Sequence, residues 1–391
     1  MIDTVALTLN KGMYWIKDPD MFEPSARYIL DDTSSMGGRG YTPAKQNPTK
    51  RELQSGIYKP RLTLTNRFNH TGKREATLKV ELSLPKLLFG NNFDELIDSD
   101  FEGVIQKLQI ILKEMGVYPY KDSLITAPVS LVHFPKNIPL TDGSTPSLYI
   151  KEIQKANITQ RLDFNQTDFR NEGQSFKFRA NNYEVVFYDK LREFLKAKIS
   201  EKRTEEKDYA IQFGLFEKVS IKKPFELLRM EVRLNQRQKI KQVFGKIGLN
   251  IEPTFQNLFN TEIAKRVLLY HLDLIESSYP KLLYFKPKSN KDFIAQFVID
   301  NPKAKLKDSL LALGFYLALE DIGTREIREL LKRYPASSWY SFIKRMNGFT
   351  YTKNRPSPFE LIRNAINEFK PISLVDFRHK MLNNDKYNQY D

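Results

Sequence analysis

The period of the hydrophobic pattern changes near residue 250, and this change constrains the fold more than any other feature of the sequence. Upstream of it, apolar and polar residues alternate over short runs, as they do in half-buried strands. Downstream of it, apolar residues recur every three or four positions, as they do in amphipathic helices. We therefore expect an α+β region at residues 1–250, in which a sheet is flanked by helices, and an all-helical domain at residues 251–391.

Five segments carry the strand pattern. In ATLKVELSL (76–84), Leu78 and Val80 form one face, whereas Lys79 and Glu81 form the other. Five strands are enough for a sheet. The other four segments are RLTLTNR (61–67), PVSLVHF (128–134), YEVVFYDK (183–190) and LLRMEVRLN (227–235).

Helical spacing predicts one helix against the sheet and several beyond it. Residues 324–349 are predicted to form a helix, a turn with a proline and a second helix, on which Lys344 and Arg345 suit a helix-turn-helix contact to DNA. Packing of two helices without any DNA contact is the alternative. The remaining helical segments are 101–116, 260–277, 290–301 and 306–323.

Residues 31–57 are rich in Gly, Pro, Ser and Thr and carry scattered cations. This composition predicts a mobile loop. The loop either closes over a nucleic-acid strand or is a plain solvated insertion.

Net charge bounds the class of partner. The chain has 62 Lys and Arg against 47 Asp and Glu, a formal charge of +15. This excess points to a polyanion, and to nucleic acid rather than a membrane surface, with simple solubility as the alternative. No run of about 18 apolar residues occurs, and the first residues lack the layout of a signal peptide. We therefore expect a cytoplasmic protein with no membrane partner.

The absence of cysteine excludes thiol nucleophiles, disulfides and cysteine-ligated zinc. The four histidines show neither HExxH nor His-x-His spacing. A metal bound by this chain should therefore be a hard divalent cation, Mg²⁺ or Mn²⁺, held by carboxylates and phosphate oxygens. Walker A and GxGxxG motifs, which are typical of ATP and dinucleotide binding, are also missing.

Tyr188 is the candidate nucleophile. It lies near the end of the strand segment YEVVFYDK, and Lys190 follows two residues later. The ordinary pKa of a phenol is about 10, so a cation such as Lys190 or a metal is needed to favour the attacking phenolate. An ordinary half-buried strand tyrosine is the alternative, and Tyr183 is the next tyrosine to test.

Charged residues on other strands complete a candidate site. Arg229 and Arg233 flank Glu231 on the polar side of their strand and are candidate phosphate clamps, and Lys79 is a further candidate DNA contact. Salt bridges between neighbours and a core position for the histidine are the alternatives. If the strands adjoin, one surface presents Tyr188 with three candidate ligands of a divalent cation, namely Glu81, His133 and Glu231.

In these segments the chain resembles the gene II/X family of phage and plasmid replication proteins, the filamentous-phage rolling-circle initiators. The similar segments occur in the family's order through most of residues 1–250, and a weaker one follows. They are MIDTVALTL (1–9), KVELSLPKLLFGNNFDEL (79–96), PVSLVHFPKNI (128–138), VVFYDKLREF (185–194), LLRMEVRLNQRQKIKQVFG (227–245) and SSWYSFIKRM (337–346).

The resemblance implies a site-specific endonuclease that nicks one strand of origin DNA and later rejoins it. The tyrosine becomes linked to the 5′ phosphate, the free 3′ hydroxyl primes synthesis, and reversal closes the displaced strand into a circle. It also implies an antiparallel sheet with a core like that of rolling-circle nucleases, ferredoxin folds and RRM folds. The implied partners are single- and double-stranded origin DNA, with host helicase and polymerase as candidates, and the oligomeric state stays open.

The family's tyrosine and lysine fall on Tyr188 and Lys190, and its strand glutamates fall on Glu81 and Glu231. Relatives commonly have aspartate where this chain has His133, which can also bind Mn²⁺. The His-hydrophobic-His pair of the wider nuclease group is missing. A DNA-binding replication regulator that keeps the fold without cutting is therefore the second interpretation, and a basic RNA-binding protein is the third.

Overall fold

The computed structural model describes residues 1–30, 42–68, 72, 74–156, 175–196 and 226–373. Strands and helices both contribute to this part of the chain. The strands are β1 (Thr4–Leu9), β2 (Tyr14–Ile16), β3 (Ala44–Gln46), β4 (Arg61–Phe68), β5 (Arg74–Ser83), β6 (Val117–Pro119), β7 (Val129–Leu140), β8 (Ser175–Arg179), β9 (Tyr183–Asp189) and β10 (Glu226–Leu234).

The helices lie between the strands and, in greater number, after the last of them. Short 3-10 turns occur at Pro19–Met21, Asp98–Asp100 and Lys281–Tyr284. The α-helices are α1 (Arg27–Leu30), α2 (Lys50–Gln54), α3 (Leu84–Phe89), α4 (Phe101–Glu114), α5 (Lys121–Ile125), α6 (Pro146–Ile153), α7 (Lys190–Lys196), α8 (Arg237–Lys246), α9 (Phe255–Leu258), α10 (Thr261–Glu276), α11 (Asn290–Asp300), α12 (Leu306–Asp321), α13 (Gly323–Leu330), α14 (Ala336–Asn347) and α15 (Glu360–Glu368).

Eight strands form one large antiparallel sheet in the order β3-β4-β5-β1-β7-β10-β9-β8, and β2 pairs with β6 in a small second sheet. The expected antiparallel sheet flanked by helices is therefore present. The five predicted strands are β4, β5, β7, β9 and β10. Strand β1 was not predicted, although it lies in the middle of the sheet between β5 and β7.

One face of the sheet is apolar and is covered by helices. On β10 this face carries Leu228, Met230 and Val232, all fully buried. Helices α10 and α15 pack against β7, and α10 also contacts β10. Burial of alternate side chains on a strand is what the period of two predicts. Strands β9 and β10 depart from this pattern, since all seven residues of β9 are buried and so are Arg229 and Glu231 on the second face of β10.

The predicted loop at residues 31–57 is partly regular. Residues 31–41 lie outside the described residues, but β3 and α2 lie within the rest of the segment. Helix α2 begins with a capping box, in which the Thr49 hydroxyl accepts from the Glu52 amide and the Glu52 carboxylate accepts from the Thr49 amide. The sequence signal for this helix was the Thr-x-x-Glu spacing, which the turn-rich composition obscured.

Beyond Leu234 every described element is helical. The helices share one continuous hydrophobic core with the sheet, and the predicted domain boundary near residue 250 stays a prediction. The predicted pair of helices at residues 324–349 corresponds to α13 and α14. Among the described residues, none of the helices is both long and apolar enough to cross a bilayer.

Candidate active site

The second face of the large sheet gathers residues from four strands. In the register, Ala6 of β1 lies opposite Glu81 and Arg233 lies opposite His133. Tyr188 lies opposite Arg229, two residues from Glu231 on β10. Directly opposed residues of antiparallel strands point to the same side. Glu81, His133, Tyr188 and Glu231 therefore share one face, which we call the polar face.

An open cavity of about 360 Å³ lies on the polar face. Its lining mixes acidic, basic and aromatic side chains, so it is suited to a charged ligand rather than an apolar one. The predicted site residues that line it are Glu81, His133, Tyr188, Glu231 and Arg233.

Glu231 is the centre of this group and is only 2% exposed. Its Oε1 lies 2.9 Å from Arg233 Nε and 3.2 Å from His133 Nδ1. Its Oε2 lies 3.3 Å from Arg233 Nη2 and accepts the Tyr188 hydroxyl proton at 3.1 Å. A buried carboxylate requires such partners, because burial without them opposes the charged form.

Electrostatics hold the charges of this cluster in place. Burial alone would raise the pKa of the Glu231 carboxyl, but Arg233, His133 and Arg229 outweigh it and hold that pKa well below its usual range. Burial likewise opposes the charge of Arg233, yet the Glu231 carboxylate raises the pKa of its guanidinium above the ordinary value. Both groups are therefore charged at neutral pH.

Tyr188 is held as a neutral phenol. Its side chain is buried, and burial raises its pKa well above 10, while Arg229 acts in the opposite direction. The alternative tyrosine, Tyr183, lies on the other face of the sheet, where its ring centroid is 5.7 Å from that of His271. Of these two β9 tyrosines, Tyr188 alone lines the cavity.

Lys190 starts α7 immediately after β9 and does not line the cavity. Its ammonium is 1% exposed, lies 3.1 Å from Glu193 Oε2, and is 5.8 Å from the centroid of the Tyr188 ring. Burial lowers the pKa of Lys190, and Glu193 partly offsets this effect. Lys190 therefore supplies positive charge beside the Tyr188 ring, and the Glu193 carboxylate favours its charged form.

Arg229 differs from its predicted role as a phosphate clamp. It is 2% exposed and does not line the cavity. Its guanidinium lies 3.3 Å from Asp3 Oδ2 and donates to the Asn92 carbonyl at 3.0 Å. Its Nε is 4.0 Å from Glu231 Oε2. Arg229 thus lies close to the Glu231 carboxylate inside the protein. The segment containing Asn92 and the neighbouring strands bury the Arg229 side chain, so a phosphate cannot reach it in this arrangement.

The three candidate metal ligands do not form a cluster. Within the described residues, no three His, Asp or Glu side chains come close enough together to hold one ion. Glu231 is engaged by Arg233 and His133, and Glu81 is paired with Lys79 at 2.7 Å. As arranged here, these residues do not fit a site built from three protein ligands. Lys79, another predicted DNA contact, also lies outside the cavity lining.

Several residues of the cavity were not predicted from the sequence. Arg61 lies opposite Glu81 in the register of β4 and β5, and the alternation of RLTLTNR already placed it on the polar side of its strand. The strand order was the missing information. The others had no comparable pattern, and those with a charged side chain are Asp3, Lys59, Lys86 and Glu193.

Lys344 and Arg345 lie on α14, outside the cavity lining. Lys344 is exposed, whereas Arg345 forms a close ion pair with the buried Asp308 of α12. Arg345 therefore fastens α14 to α12. This contact gives Arg345 a structural role in this arrangement. The DNA contact of Lys344 stays a prediction.

We compared the chain with protein-family models, curated proteins and solved structures, and none of them matches it. The resemblance to the gene II/X family therefore stays a prediction.

Proposed function

We propose that the cavity on the polar face cleaves and rejoins one strand of DNA through Tyr188, as expected of a rolling-circle replication initiator with a fold like that of rolling-circle nucleases. The observation that supports this most directly is the hydrogen bond from the Tyr188 hydroxyl to Glu231 at the cavity wall, 3.1 Å long. It pairs a potential nucleophile with a potential proton acceptor.

In the proposed step, the Tyr188 oxygen forms a bond to phosphorus and the bond from phosphorus to the 3′ oxygen breaks. The phenolic proton passes to Glu231, and the departing 3′ oxygen takes a proton from a water molecule. The hydroxide that remains is neutralised when Glu231 returns its proton to the solvent. The 5′ phosphate stays on the tyrosine. In the reverse step, a 3′ hydroxyl attacks this phosphotyrosine, restores the DNA backbone and releases the phenol, so no other energy source is required.

The free protein holds this pair in an inactive state. Transfer of a proton from a phenol of raised pKa to a carboxylate of lowered pKa is unfavourable. Arg233 is 28% exposed and contacts both Glu231 and the cavity, so a bound phosphate can compete for it. Loss of Arg233 from Glu231 would raise the pKa of that carboxyl. We therefore propose that the substrate phosphate itself makes Glu231 a better base.

Cations around the cavity define a path for the strand. Lys59, Arg61 and Lys86 line it together with Arg233. Each can contact a phosphate, and contacts of this kind position a strand without reading its sequence. A divalent cation stays part of the proposal only through the resemblance, because the side chains as arranged do not form its site.

The second candidate is a DNA-binding regulator that does not cut. The observation that favours it is the raised pKa of Tyr188 together with the lowered pKa of Glu231. These shifts keep Tyr188 protonated and keep the Glu231 carboxylate in its ion pair with Arg233. The two candidates differ in one measurable product, a covalent bond between protein and DNA.

The test is to incubate the protein with labelled single-stranded DNA from its own replicon, with Mn²⁺ or with a chelator. We expect an adduct that survives denaturation in wild type and disappears in Tyr188→Phe. The matched control is Tyr183→Phe, which changes a buried tyrosine of the same strand on the opposite face and should leave the adduct intact.

Equal adduct formation by wild type and Tyr188→Phe would refute the assignment of the nucleophile. Binding of DNA without any adduct, across fragments covering the whole replicon, would favour the regulator. An adduct that forms equally well in the chelator would remove the divalent cation from the proposal.

A further inference from the structure

Helix α12 has an exposed apolar face that no described residue covers. Leu310, Leu311 and Leu317 are 57%, 44% and 46% exposed. The opposite side of the same helix is buried in the protein through Ala312, Phe315, Tyr316 and Leu319. A helix that is apolar on all sides is ordinarily buried on all sides. The exposed leucines therefore indicate a missing partner.

Three and seven residues from Gly314 the exposed face is symmetric about that residue, whereas four residues away it carries Leu310 on one side and the smaller Ala318 on the other. At about 100° per residue, positions three, four and seven residues from Gly314 in either direction lie on the same side of the helix. Leucines lie three residues away on both sides, at Leu311 and Leu317. Opposite charges lie seven residues away, at Lys307 and Asp321, and both are exposed.

No described residue packs closely enough against Gly314 to require a glycine there. A Cβ atom built at this position would meet nothing within 4 Å. Alanine would therefore fit, and it is the better helix former. A glycine in the middle of an exposed apolar face instead permits a second helix to approach the backbone closely.

We propose that this face binds a second copy of the chain, with two α12 helices crossing antiparallel at Gly314 about a two-fold axis. In that arrangement Leu311 of one copy meets Leu317 of the other. Lys307 of one copy meets Asp321 of the other, at both ends of the contact. The surface is thus complementary to itself in polarity and charge, as a two-fold interface requires. Charge complementarity selects the antiparallel orientation, because a parallel pair would place like charges together.

The interface would also set the spacing of a DNA-binding element. Arg345 of α14 is paired with Asp308 of α12, so α14 is fastened to the helix that forms the interface. Two copies would present two α13 and α14 pairs at a fixed separation, as dimeric DNA-binding proteins do. The interface itself does not depend on the proposed nuclease chemistry.

The first test measures the mass of the intact chain by sedimentation equilibrium. We expect the mass to approach that of two chains as concentration rises. Lys307→Glu or Asp321→Lys alone should weaken association at least about tenfold, because each places like charges together at both ends. The double variant should restore association. Both positions are exposed, so the fold is expected to tolerate these changes, and a circular dichroism melt checks this.

The second test uses the absence of cysteine from the chain. In the variant Gly314→Cys, the thiols of two copies meet at the crossing point and should form a disulfide. Copper phenanthroline is the oxidant and takes up the two electrons, and the two thiol protons are released. Gln106→Cys, at an exposed position of α4, is the matched control and should link far more slowly.

The proposal is overturned if the chain stays a monomer throughout its soluble range, which would leave another protein or an undescribed segment as the covering partner. It is also overturned if the two charge reversals do not rescue each other, or if the two cysteine variants link at equal rates. Loss of the DNA adduct in Tyr188→Phe bears on none of these outcomes.

Discussion

At the scale of single residues, Glu231 governs the candidate site. One buried carboxylate accepts from Tyr188 and contacts His133 and Arg233 on the face that carries the cavity. Its charge is compensated from two sides, since Arg229 lies below it and Arg233 beside it. Removal of one partner of such a buried network leaves the others uncompensated, so function and stability are coupled at this residue.

We expect Glu231→Gln to slow formation of the Tyr188 adduct by about 10²- to 10⁴-fold, because the amide cannot accept the phenolic proton. It should also lower the free energy of unfolding by about 3 kcal/mol, since both arginines lose a buried counter-charge. Adduct rates and urea midpoints measure the two effects. Glu184→Gln is the control, because Glu184 also pairs with Arg233 but does not contact the Tyr188 hydroxyl. Unchanged adduct rates in folded Glu231→Gln would contradict the role of Glu231 as proton acceptor.

At the scale of elements, helix α10 covers part of the apolar face of the large sheet, where it packs against β7 and β10. It carries His271 into the core, where the ring donates from Nδ1 to the Val267 carbonyl at 2.8 Å. Burial, assisted by Lys239 and Lys246, lowers the pKa of His271 to about 4. The sequence pattern places this histidine on the apolar side of α10, and its neutrality follows from the sheet packed against it.

His271 should make stability depend on pH. In the unfolded chain its pKa is about 6.5, so between pH 6.5 and 4 the unfolded state binds more protons than the folded state. Stability is therefore complete above about pH 6.5 and falls as the pH drops toward 4, by about 3 kcal/mol in total. Urea unfolding of wild type and His271→Leu at pH 7.5 and 4.5 measures this. We expect a smaller loss in the variant, and an equal loss would contradict a buried neutral His271.

At the scale of the whole molecule, the polar face carries an open cavity, although Arg229 and Glu231 on that face and all of β9 are buried. The chain as a whole carries a formal charge of +15. On the polar face most described cations near the cavity are paired, as in Arg233 with Glu231 and Lys177 with Glu184. Affinity for DNA must therefore come from several elements together. The cations that contribute are those that exchange a carboxylate partner for a phosphate, or that have no such partner.

Binding of duplex DNA should weaken with salt, with a log–log slope of about −0.9 for each phosphate neutralised. Lys344→Gln, on the exposed side of α14, should reduce the magnitude of this slope by about 0.9. Fluorescence anisotropy over a salt series measures it. Lys113→Gln, at an exposed lysine of α4, should leave the slope unchanged. Equal slopes for both variants would exclude α14 from the DNA interface.

The strands that the sequence predicted are seven or more residues long, whereas the strands that it missed are six residues long or shorter. It located β4, β5, β7, β9 and β10 because their side chains alternate. It missed β1, a strand of only six residues, although Val5, Leu7 and Leu9 alternate there with Thr4, Ala6 and Thr8. The alternation assigned Arg229 and Arg233 to the same side of their strand, because they are an even number of residues apart. Of these two, only Arg233 lines the cavity.

By itself the sequence determined which side of each strand is polar, that no thiol chemistry is possible, and that the chain is strongly basic. These are local or additive properties, so they need no knowledge of neighbours. Only the tertiary structure decided that Glu81 and Tyr188 border one cavity, that Arg229 and Lys190 are buried beside it, and that, among the described residues, the three candidate metal ligands form no cluster. Those outcomes depend on strand order, register and the segments that close over each face, and a periodic pattern specifies none of them.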